Sequence, residues 1–179
     1  MLENVIDACC LINLSAAGEL KSWLRVLGGT WYLPKAVHSE SLYLRMEQPD
    51  GIAAREIISL QPAIEARRLQ LCEPVGAEEM ELYLELAVSL DDGEAMALAL
   101  AKARGWKLAT DDRKAISLAE KLHVEVITTP ELVKYWAERT KPTAAILREV
   151  LLHIQNRARF FPNDKSPLRD WWFDITASP

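Results

Sequence analysis

The sequence predicts an α/β fold: a three-layer α/β/α sandwich with a central parallel sheet, followed by a helical C-terminal extension. Short apolar runs alternate with helical segments of about ten residues, which is typical of a parallel sheet covered on both faces. Half of the 179 residues are apolar, so a sizeable core can form without disulfides or a structural metal. Seven glycines and nine prolines exclude collagen-like and low-complexity chains.

The elements are predicted from apolar spacing and from residues that end helices. The helix at 20–27 has its leucines and Trp23 on one face and stops at Gly28 and Gly29. Pro34 opens a helix that we expect to continue to about residue 46. The predicted strands are 2–6, 30–33, 106–109 and 124–127. The other predicted helices are 77–90, 92–104, 113–122, 130–139 and 143–157.

Two regions are less regular. Within residues 50–71, the segments 53–58 and 63–69 are both interpreted as short helices, and residues 160–179 as an irregular tail that contains prolines. In that tail, Trp171 and Trp172 are expected to fold back on the domain, with docking of a partner or stacking on RNA as alternatives. We expect a domain at 1–138 and an extension at 139–179 that packs on it.

Charge and cysteine content limit the function classes. The net charge of −5 excludes a basic nucleic-acid coat protein, although residues 101–179 carry 14 Lys and Arg against 10 Asp and Glu. That basic half is either an ordinary solvated surface or a face for a polyanion. No apolar stretch is long enough to span a membrane, and the N-terminus lacks the pattern of a secretory signal. Because two of the three cysteines are adjacent, a reduced, cytoplasmic location is expected.

Four acidic positions are predicted to meet at one crevice. Asp7 follows the first strand and Asp111-Asp112 follow the strand at 106–109, where parallel α/β sheets bind ligands. Glu40 and Glu94 lie on helices beside apolar neighbours, including Val37, Tyr43 and Leu44 for Glu40. Acids drawn together in this way raise one another's pKa unless a divalent cation lies among them.

Each acid also has a purely structural explanation. Asp7 and Asp112 can cap the helices that follow them, and Asp91 with Glu94 fits a capping box. Glu40 can be a half-exposed side chain without a role. The four positions together favour the metal interpretation over these separate ones.

The order of these acids resembles a PIN domain, the fold of VapC-type toxin ribonucleases and related prokaryotic RNA-processing nucleases. The matching segments are VIDACCLINL from Val5, PKAVHSE from Pro34, GEAMALALA from Gly93 and LATDDR from Leu108, within residues 2–138. Relatives often carry Ser or Thr two residues after the first acid, where this chain has Cys9.

The resemblance implies a Mg²⁺- or Mn²⁺-dependent endoribonuclease that hydrolyses phosphodiester bonds. It implies the catalytic residues Asp7, Glu40, Glu94 and Asp112. Asp7, Glu94 and Asp112 would hold the metal, with Asp111 as a further candidate ligand. Thr110, Arg113 and Lys114 are expected on the substrate side, with Lys102 and Arg104 nearby. The expected partners are RNA, a small antitoxin protein and a second copy of the chain.

Other functions remain alternatives at this point. A non-catalytic PIN-fold module could bind RNA or a protein through its basic tail or the tryptophan pair. A phosphatase or receiver domain is weaker, because no second acid stands two positions after Asp7. Glycine-loop nucleotide binding, a cysteine nucleophile and a zinc site from Cys9, Cys10 and Cys72 lack the required motifs or spacing.

Overall fold

The computed structural model describes residues 3–40, 42–47 and 53–177. Its strands are β1 (Glu3–Ile6), β2 (Thr30–Pro34), β3 (Tyr43–Glu47), β4 (Ala53–Ile57), β5 (Leu69–Cys72), β6 (Lys107–Ala109) and β7 (Val126–Ile127). Five of these form a parallel sheet in the order β5-β2-β1-β6-β7, and β3 and β4 form a separate antiparallel hairpin. Chain order reverses direction between β1 and β6, so a crevice opens beyond the carboxyl ends of these two strands.

Ten helices lie in the described ranges. They are α1 (Ala8–Ala17), α2 (Leu20–Leu27), α3 (Lys35–Ser39), α4 (Gln61–Glu65), α5 (Ala77–Ala87), α6 (Asp92–Arg104), α7 (Arg113–Lys121), α8 (Thr129–Thr140), α9 (Ala144–Arg157) and α10 (Arg169–Ala177). No helix in the described ranges combines the length and the apolar character needed to cross a membrane.

The sheet separates two apolar cores, which confirms the three-layer α/β/α fold. Val5 and Leu108 point to a core formed with α5, α6 and α7. Their neighbours Ile6 and Ala109 point to the opposite core, which is formed with α1, α2, α8, α9 and α10. This alternation follows from the two-residue period of a strand, and burial on both faces explains why the strands are apolar throughout.

The helix predicted from Pro34 to about residue 46 is wrong beyond Ser39. The chain leaves the helix at Glu40, and residues 43–47 pair with 53–57 in the antiparallel hairpin. Leu44 is buried between exposed neighbours, which is the alternation of a strand and not the period of a helix. The short helix predicted at 53–58 is therefore also wrong.

Other differences concern elements that lack an amphipathic pattern. Helix α1 was not predicted from the sequence, because apolar residues lie on all its sides and most are buried. Strand β5 occupies part of the segment interpreted as a helix at 63–69 and the residues after it. Helix α10 replaces part of the irregular tail. Parts of the predictions that fall on residues 2, 50–52, 178 and 179 lie outside the described residues.

The C-terminal helices pack on the rest of the protein. Leu151 and Ile154 of α9 and Trp172 of α10 are completely buried in the same core as Ile6. This confirms that Trp172 folds back, and Phe160 lies edge-on to its ring. The division into a domain at 1–138 and an extension at 139–179 stays a prediction.

Candidate active site

The two central strands bring the first and last acidic segments side by side. In the register of β1 and β6, Ile6 lies opposite Ala109, and the Asp7 amide donates to the Ala109 carbonyl at 3.1 Å. The next residues, Asp7 and Thr110, are therefore neighbours where both strands end. Sheet topology alone thus joins positions more than a hundred residues apart in the chain.

Asp7 is the buried centre of the site, with a side chain that is 2% exposed. As the N-cap of α1, its Oδ1 accepts the Cys10 backbone N–H at 3.0 Å. The Thr110 hydroxyl donates to Oδ2, and the Cys9 thiol donates to the same carboxylate at 3.0–3.1 Å. Burial raises the pKa of Asp7 to about 7, and the nearby Asp111 adds to the rise, against the lowering effect of these hydrogen bonds.

Glu94 lies in the first turn of α6 and faces the same crevice. Asp91 is the N-cap of this helix, and its Oδ1 accepts the Glu94 backbone N–H at 2.8 Å. Partial burial, together with the charges of Asp112, Asp91 and Asp7, raises the pKa of Glu94 to about 7. The pKa of Glu94 therefore depends on the charges of the other acids.

Asp112 caps α7 and is tied to Asp7 through one hydroxyl. Its Oδ1 accepts the backbone N–H groups of Lys114 and Ala115, both at 2.8 Å. Its own N–H donates to Thr110 Oγ1 at 3.1 Å, while the hydroxyl hydrogen is directed to Asp7. The N-termini of α1, α6 and α7 therefore point at one place, where their partial positive charge favours anions.

Thr110 differs from its predicted place on the substrate side. The residue has no exposed surface, and its hydroxyl is engaged with Asp7 and the Asp112 amide. A buried hydroxyl with both partners inside the protein cannot reach a bound substrate. Thr110 instead holds the two acids in register.

Glu40 reaches the site from the end of α3. Its Oε1 would lie 2.8 Å from a Cβ added at Gly93, and Asp91 Oδ1 would lie 3.6 Å from the same point. Partial burial raises the pKa of Glu40, and the Asp91 and Asp92 charges add to the rise. Glu40 is thus at the outer rim, beside the cap of α6, and its side chain is exposed.

Asp111 is engaged by hydrogen bonds that point away from this crevice. Its Oδ1 accepts the Thr129 backbone N–H at 2.9 Å. Its Oδ2 accepts from the Asn13 amide at 3.0 Å, the Cys10 thiol at 3.3 Å and the Thr129 hydroxyl. This network joins the end of β6 to α1 and α8. No sequence motif marks Asn13 or Thr129, so only the fold could identify them.

The sulfur atoms are not suited to a soft metal. Asp7, Cys9 and Cys10 lie close enough for one ligand atom from each to meet at a metal ion. However, burial raises the pKa of Cys10 well above its usual value. The Cys10 thiol lowers the pKa of Cys9, but burial and the charges of Asp7 and Asp111 raise it more, to about 11. Both thiols therefore keep their protons at neutral pH in the metal-free protein, and a zinc ion would have to displace these protons to bind.

Among residues 3–40, 42–47 and 53–177, no cationic side chain forms a salt bridge with the three acids of the crevice, Asp7, Glu94 and Asp112. Arg113 and Lys114 follow Asp112 at the start of α7 and are exposed, and the Lys114 ammonium donates to the Ser89 carbonyl. These two positions remain open to a substrate phosphate.

The other two basic residues expected near the site are remote from it. Lys102 and Arg104 lie at the opposite end of α6, about 15 Å along the helix from Glu94. Arg104 is held there by Glu79, with bonds of 2.7 and 2.8 Å. The expectation that they flank the site is wrong, because the helix runs away from the crevice.

The donor set fits a hard divalent cation. Asp7 and Asp112 share the Thr110 hydroxyl, and their charges act on Glu94. Carboxylate oxygens are the ligands that Mg²⁺ and Mn²⁺ prefer. A carboxylate has about four lone-pair positions, and the Cys10 N–H, the Thr110 hydroxyl and the Cys9 thiol use three of those on Asp7. One position remains for a cation.

Comparison with known proteins agrees with this architecture. A family model described as a PIN domain matches residues 3–165, which includes every acid named above and helix α9. A search of the curated proteins found no match. The family match supports a nuclease-like fold for the chain.

Proposed function

Because the chain belongs to the PIN-domain family, we propose that it is a Mg²⁺- or Mn²⁺-dependent endoribonuclease. The observation that carries the proposal is that Asp7 and Asp112 are joined through Thr110 beyond the ends of β1 and β6, with their charges acting on Glu94 at the start of α6. None of the three acids forms a salt bridge with a side chain that the structure describes. Isolated acids of this kind are costly to bury, and a cation that they share offsets the cost. The pKa values near 7 of Asp7 and Glu94 express the same cost.

Asp7, Glu94 and Asp112 would hold the metal, and Glu40 would bind at the rim. When bound, a divalent cation supplies positive charge that stabilises the phosphoryl transition state and makes an attacking water more acidic. The hydrogen bonds of Thr110 and Cys9 fix the Asp7 carboxylate, so the ligand does not reorganise during the reaction. Asp111 positions the loop between β6 and α7 through α8 and is not needed as a ligand.

The substrate phosphates would approach the N-terminal end of α7. Arg113 and Lys114 are exposed there, beside the Asp112 cap. Their charges can balance flanking phosphates that a crevice of acids would otherwise repel. We assign these two residues to substrate binding.

The test is cleavage of a labelled single-stranded RNA and of a hairpin RNA by the purified chain. We expect cleavage with Mg²⁺ or Mn²⁺, none with EDTA, and a loss of at least about 100-fold in Asp7→Asn, Glu94→Gln and Asp112→Asn. The matched control is Glu120→Gln, which removes an exposed carboxylate from the far part of α7 and should leave cleavage unchanged. Cleavage that persists in Asp7→Asn would place the activity elsewhere or in a contaminant.

If none of these RNAs is cleaved but they bind, the chain is a non-catalytic module of the same fold. Binding is measured by fluorescence anisotropy with Asp7→Asn beside the wild-type chain. A binding module should bind RNA equally with Mg²⁺ and with EDTA, since its acids would have no role. A nuclease should bind more tightly with the cation present.

We also propose that the ribonuclease is a toxin that a small antitoxin protein binds. An exposed apolar stripe on α5 and its C-cap supports a protein partner: Met80, Leu84 and the C-cap residue Val88 are 41%, 57% and 87% exposed and follow helical spacing. Exposed Glu81 and Glu85 flank the stripe, so a basic partner chain fits it better than a second copy does.

The predicted homodimer would then use another face. Light scattering of the wild-type chain measures the oligomeric state, and Leu84→Glu should leave that state unchanged. Dissociation of a dimer by Leu84→Glu would show that the stripe joins two copies.

A further inference from the structure

The β3–β4 hairpin has one anchored face and one outward face. Leu44 is 4% exposed, and the Glu56 carboxylate accepts from Arg157 of α9 at 2.7 Å. The same arginine donates to the Ala16 carbonyl of α1 at 3.0 Å. The hairpin is therefore fixed to both helices, and alternation along its strands directs the residues next to Leu44 and Glu56 to the opposite, outward face.

The outward face carries aromatic, apolar and cationic side chains. Tyr43 lies opposite Ile57, and Arg45 lies opposite Arg55. Tyr43 is 37% exposed and Ile57 is 83% exposed. The Arg55 guanidinium lies 4.3 Å from the centroid of the Tyr43 ring.

Two arginines in direct cross-strand register are unfavourable for the free protein. Like charges opposite one another destabilise a strand pair. Arg55 leans diagonally to Tyr43. Among the side chains that the structure describes, which do not include that of Glu47, neither guanidinium has a salt-bridge partner. A bound anion would neutralise both charges, and two adjacent guanidiniums suit successive phosphates.

This face begins beside the acidic crevice. The Leu42 amide donates to the Glu40 carbonyl at 3.1 Å, and Tyr43 follows directly. Two residues of chain separate Tyr43 from the rim acid Glu40, and the three Cα-to-Cα steps limit the distance between their Cα atoms to about 11 Å. A nucleotide chain that leaves the crevice past Glu40 would meet the hairpin.

We propose that the outward face of the β3–β4 hairpin, formed by Tyr43, Arg45, Arg55 and Ile57, binds a single-stranded segment of the RNA substrate. The proposal rests on the proposed ribonuclease function. Arg45 and Arg55 contact phosphates, and Tyr43 offers a ring on which a base stacks. The two adjacent arginine charges favour RNA, a polyanion, over an apolar protein surface as the molecule bound here.

The experiment measures binding separately from cleavage. A fluorescein-labelled 12-nucleotide single-stranded RNA is titrated with the full chain carrying Asp7→Asn, in Mg²⁺, at several salt concentrations. Adding Arg45→Ala and Arg55→Ala should weaken binding about tenfold or more. The slope of log Kd against log salt should fall by about 1.4, since each phosphate contact on a single strand contributes about 0.7.

Two further variants separate charge from stacking. Arg45→Lys with Arg55→Lys should retain the salt slope, because it keeps both charges. Tyr43→Leu should weaken binding at least about fivefold at an unchanged slope, whereas Tyr43→Phe should bind as Asp7→Asn alone.

The matched control removes two exposed cations at the opposite edge of the sheet. Arg25 lies in the last turn of α2, the helix that precedes β2. Lys121 lies at the end of α7 that is remote from Asp112. Arg25→Ala with Lys121→Ala should change binding less than about twofold. Melting temperatures of all variants verify that the fold is kept.

The outcomes separate this inference from the proposed function. If the wild-type chain cleaves RNA but the hairpin variants bind like the control, the hairpin proposal is wrong and the ribonuclease proposal stands. If the hairpin variants lose binding but the wild-type chain does not cleave, the hairpin binds RNA in a non-catalytic module. Absence of RNA binding by the Asp7→Asn chain overturns the hairpin proposal directly.

Discussion

Gly93 lies directly under Glu40. A Cβ at position 93 would come within 2.8 Å of Glu40 Oε1 and within 2.8 Å of Val37 Cγ2. Val37 is completely buried and cannot retreat, whereas the end of Glu40 can swing into solvent. The absence of a side chain in the first turn of α6 is thus the reason that the two helices α3 and α6 bring their acids together.

Gly93→Ala should therefore displace Glu40 and weaken the site. Alanine gains up to about 1 kcal/mol of helix propensity, but overpacking against Val37 costs about 1–3 kcal/mol, so the free energy of unfolding should fall. Urea denaturation and Mn²⁺ titration measure the two effects. Val37→Ala combined with Gly93→Ala should relieve the contact with Val37 but not restore Mn²⁺ affinity, because Glu40 Oε1 still lies against the new Cβ. A Gly93→Ala protein that is more stable than wild type and equally active would contradict this prediction.

The metal-free protein should lose stability as pH rises toward neutrality. In the folded state the pKa values of Asp7 and Glu94 are about 7, above their ordinary values of 3.8 and 4.5. Between those limits the folded chain holds protons that the unfolded chain releases, so the free energy of unfolding falls with rising pH. The buried Asp7 contributes up to about 4 kcal/mol of this fall, and Glu94 contributes less because it is partly exposed.

Denaturation in EDTA at pH 5, 6, 7 and 8 measures this slope. Asp7→Asn should flatten it, because the amide does not titrate. Mn²⁺ at about 100 times its Kd should add about 2.7 kcal/mol at pH 8, since the cation binds the ionised form. If the free energy of unfolding changed equally with pH in wild type and Asp7→Asn, ionisation of Asp7 would not destabilise the folded protein.

The placement of the acids that follow strands could be predicted from the sequence. Asp7 follows the last residue of β1 directly, and Asp112 stands three residues after the last residue of β6. Because β1 and β6 pair in parallel, the segments that carry the two acids meet. The same residues also cap α1 and α7, which confirms the structural explanation and leaves the metal role a prediction. An N-cap and a metal ligand use different lone pairs of one carboxylate.

The sequence was insufficient where periodicity was ambiguous or contacts were distant. Val37, Tyr43 and Leu44 satisfy a helical spacing from Glu40, yet Leu44 belongs to a strand whose partner lies beyond residue 52. The Asp111 network depends on Asn13 and on α8, which local patterns do not connect. In both cases the structure depends on contacts between residues that are far apart in the sequence.

Cys9 should tune the acidity of Asp7. Its thiol donates to the Asp7 carboxylate and its sulfur accepts the Asp111 backbone N–H at 3.2 Å. Cys9→Ser supplies a stronger donor, so the pKa of Asp7 should fall and Mn²⁺ should bind at lower pH. Cys9→Ala leaves the Asp111 N–H without an acceptor and should cost about 1–3 kcal/mol of stability.

Calorimetric titration of Mn²⁺ at several pH values measures the first effect, and denaturation measures the second. Cys72→Ser is the control, because this buried cysteine lies on the edge strand β5. Identical Mn²⁺ binding in Cys9→Ser and Cys9→Ala would contradict a hydrogen-bonding role for position 9.

Asp111 and Asp112 should respond in opposite ways to the same substitution. Asp111→Asn places an N–H₂ group against the donors from Asn13, Cys10 and Thr129, so stability should fall by about 2–3 kcal/mol. Asp112→Asn should hardly change stability, since asparagine caps a helix as well as aspartate does, but Mn²⁺ affinity and RNA cleavage should drop at least about 100-fold. Denaturation, calorimetry and cleavage on both variants form the test. A stable Asp111→Asn protein without Mn²⁺ affinity would instead make Asp111 the last metal ligand, because its carboxylate would then have left the α8 network to bind the cation.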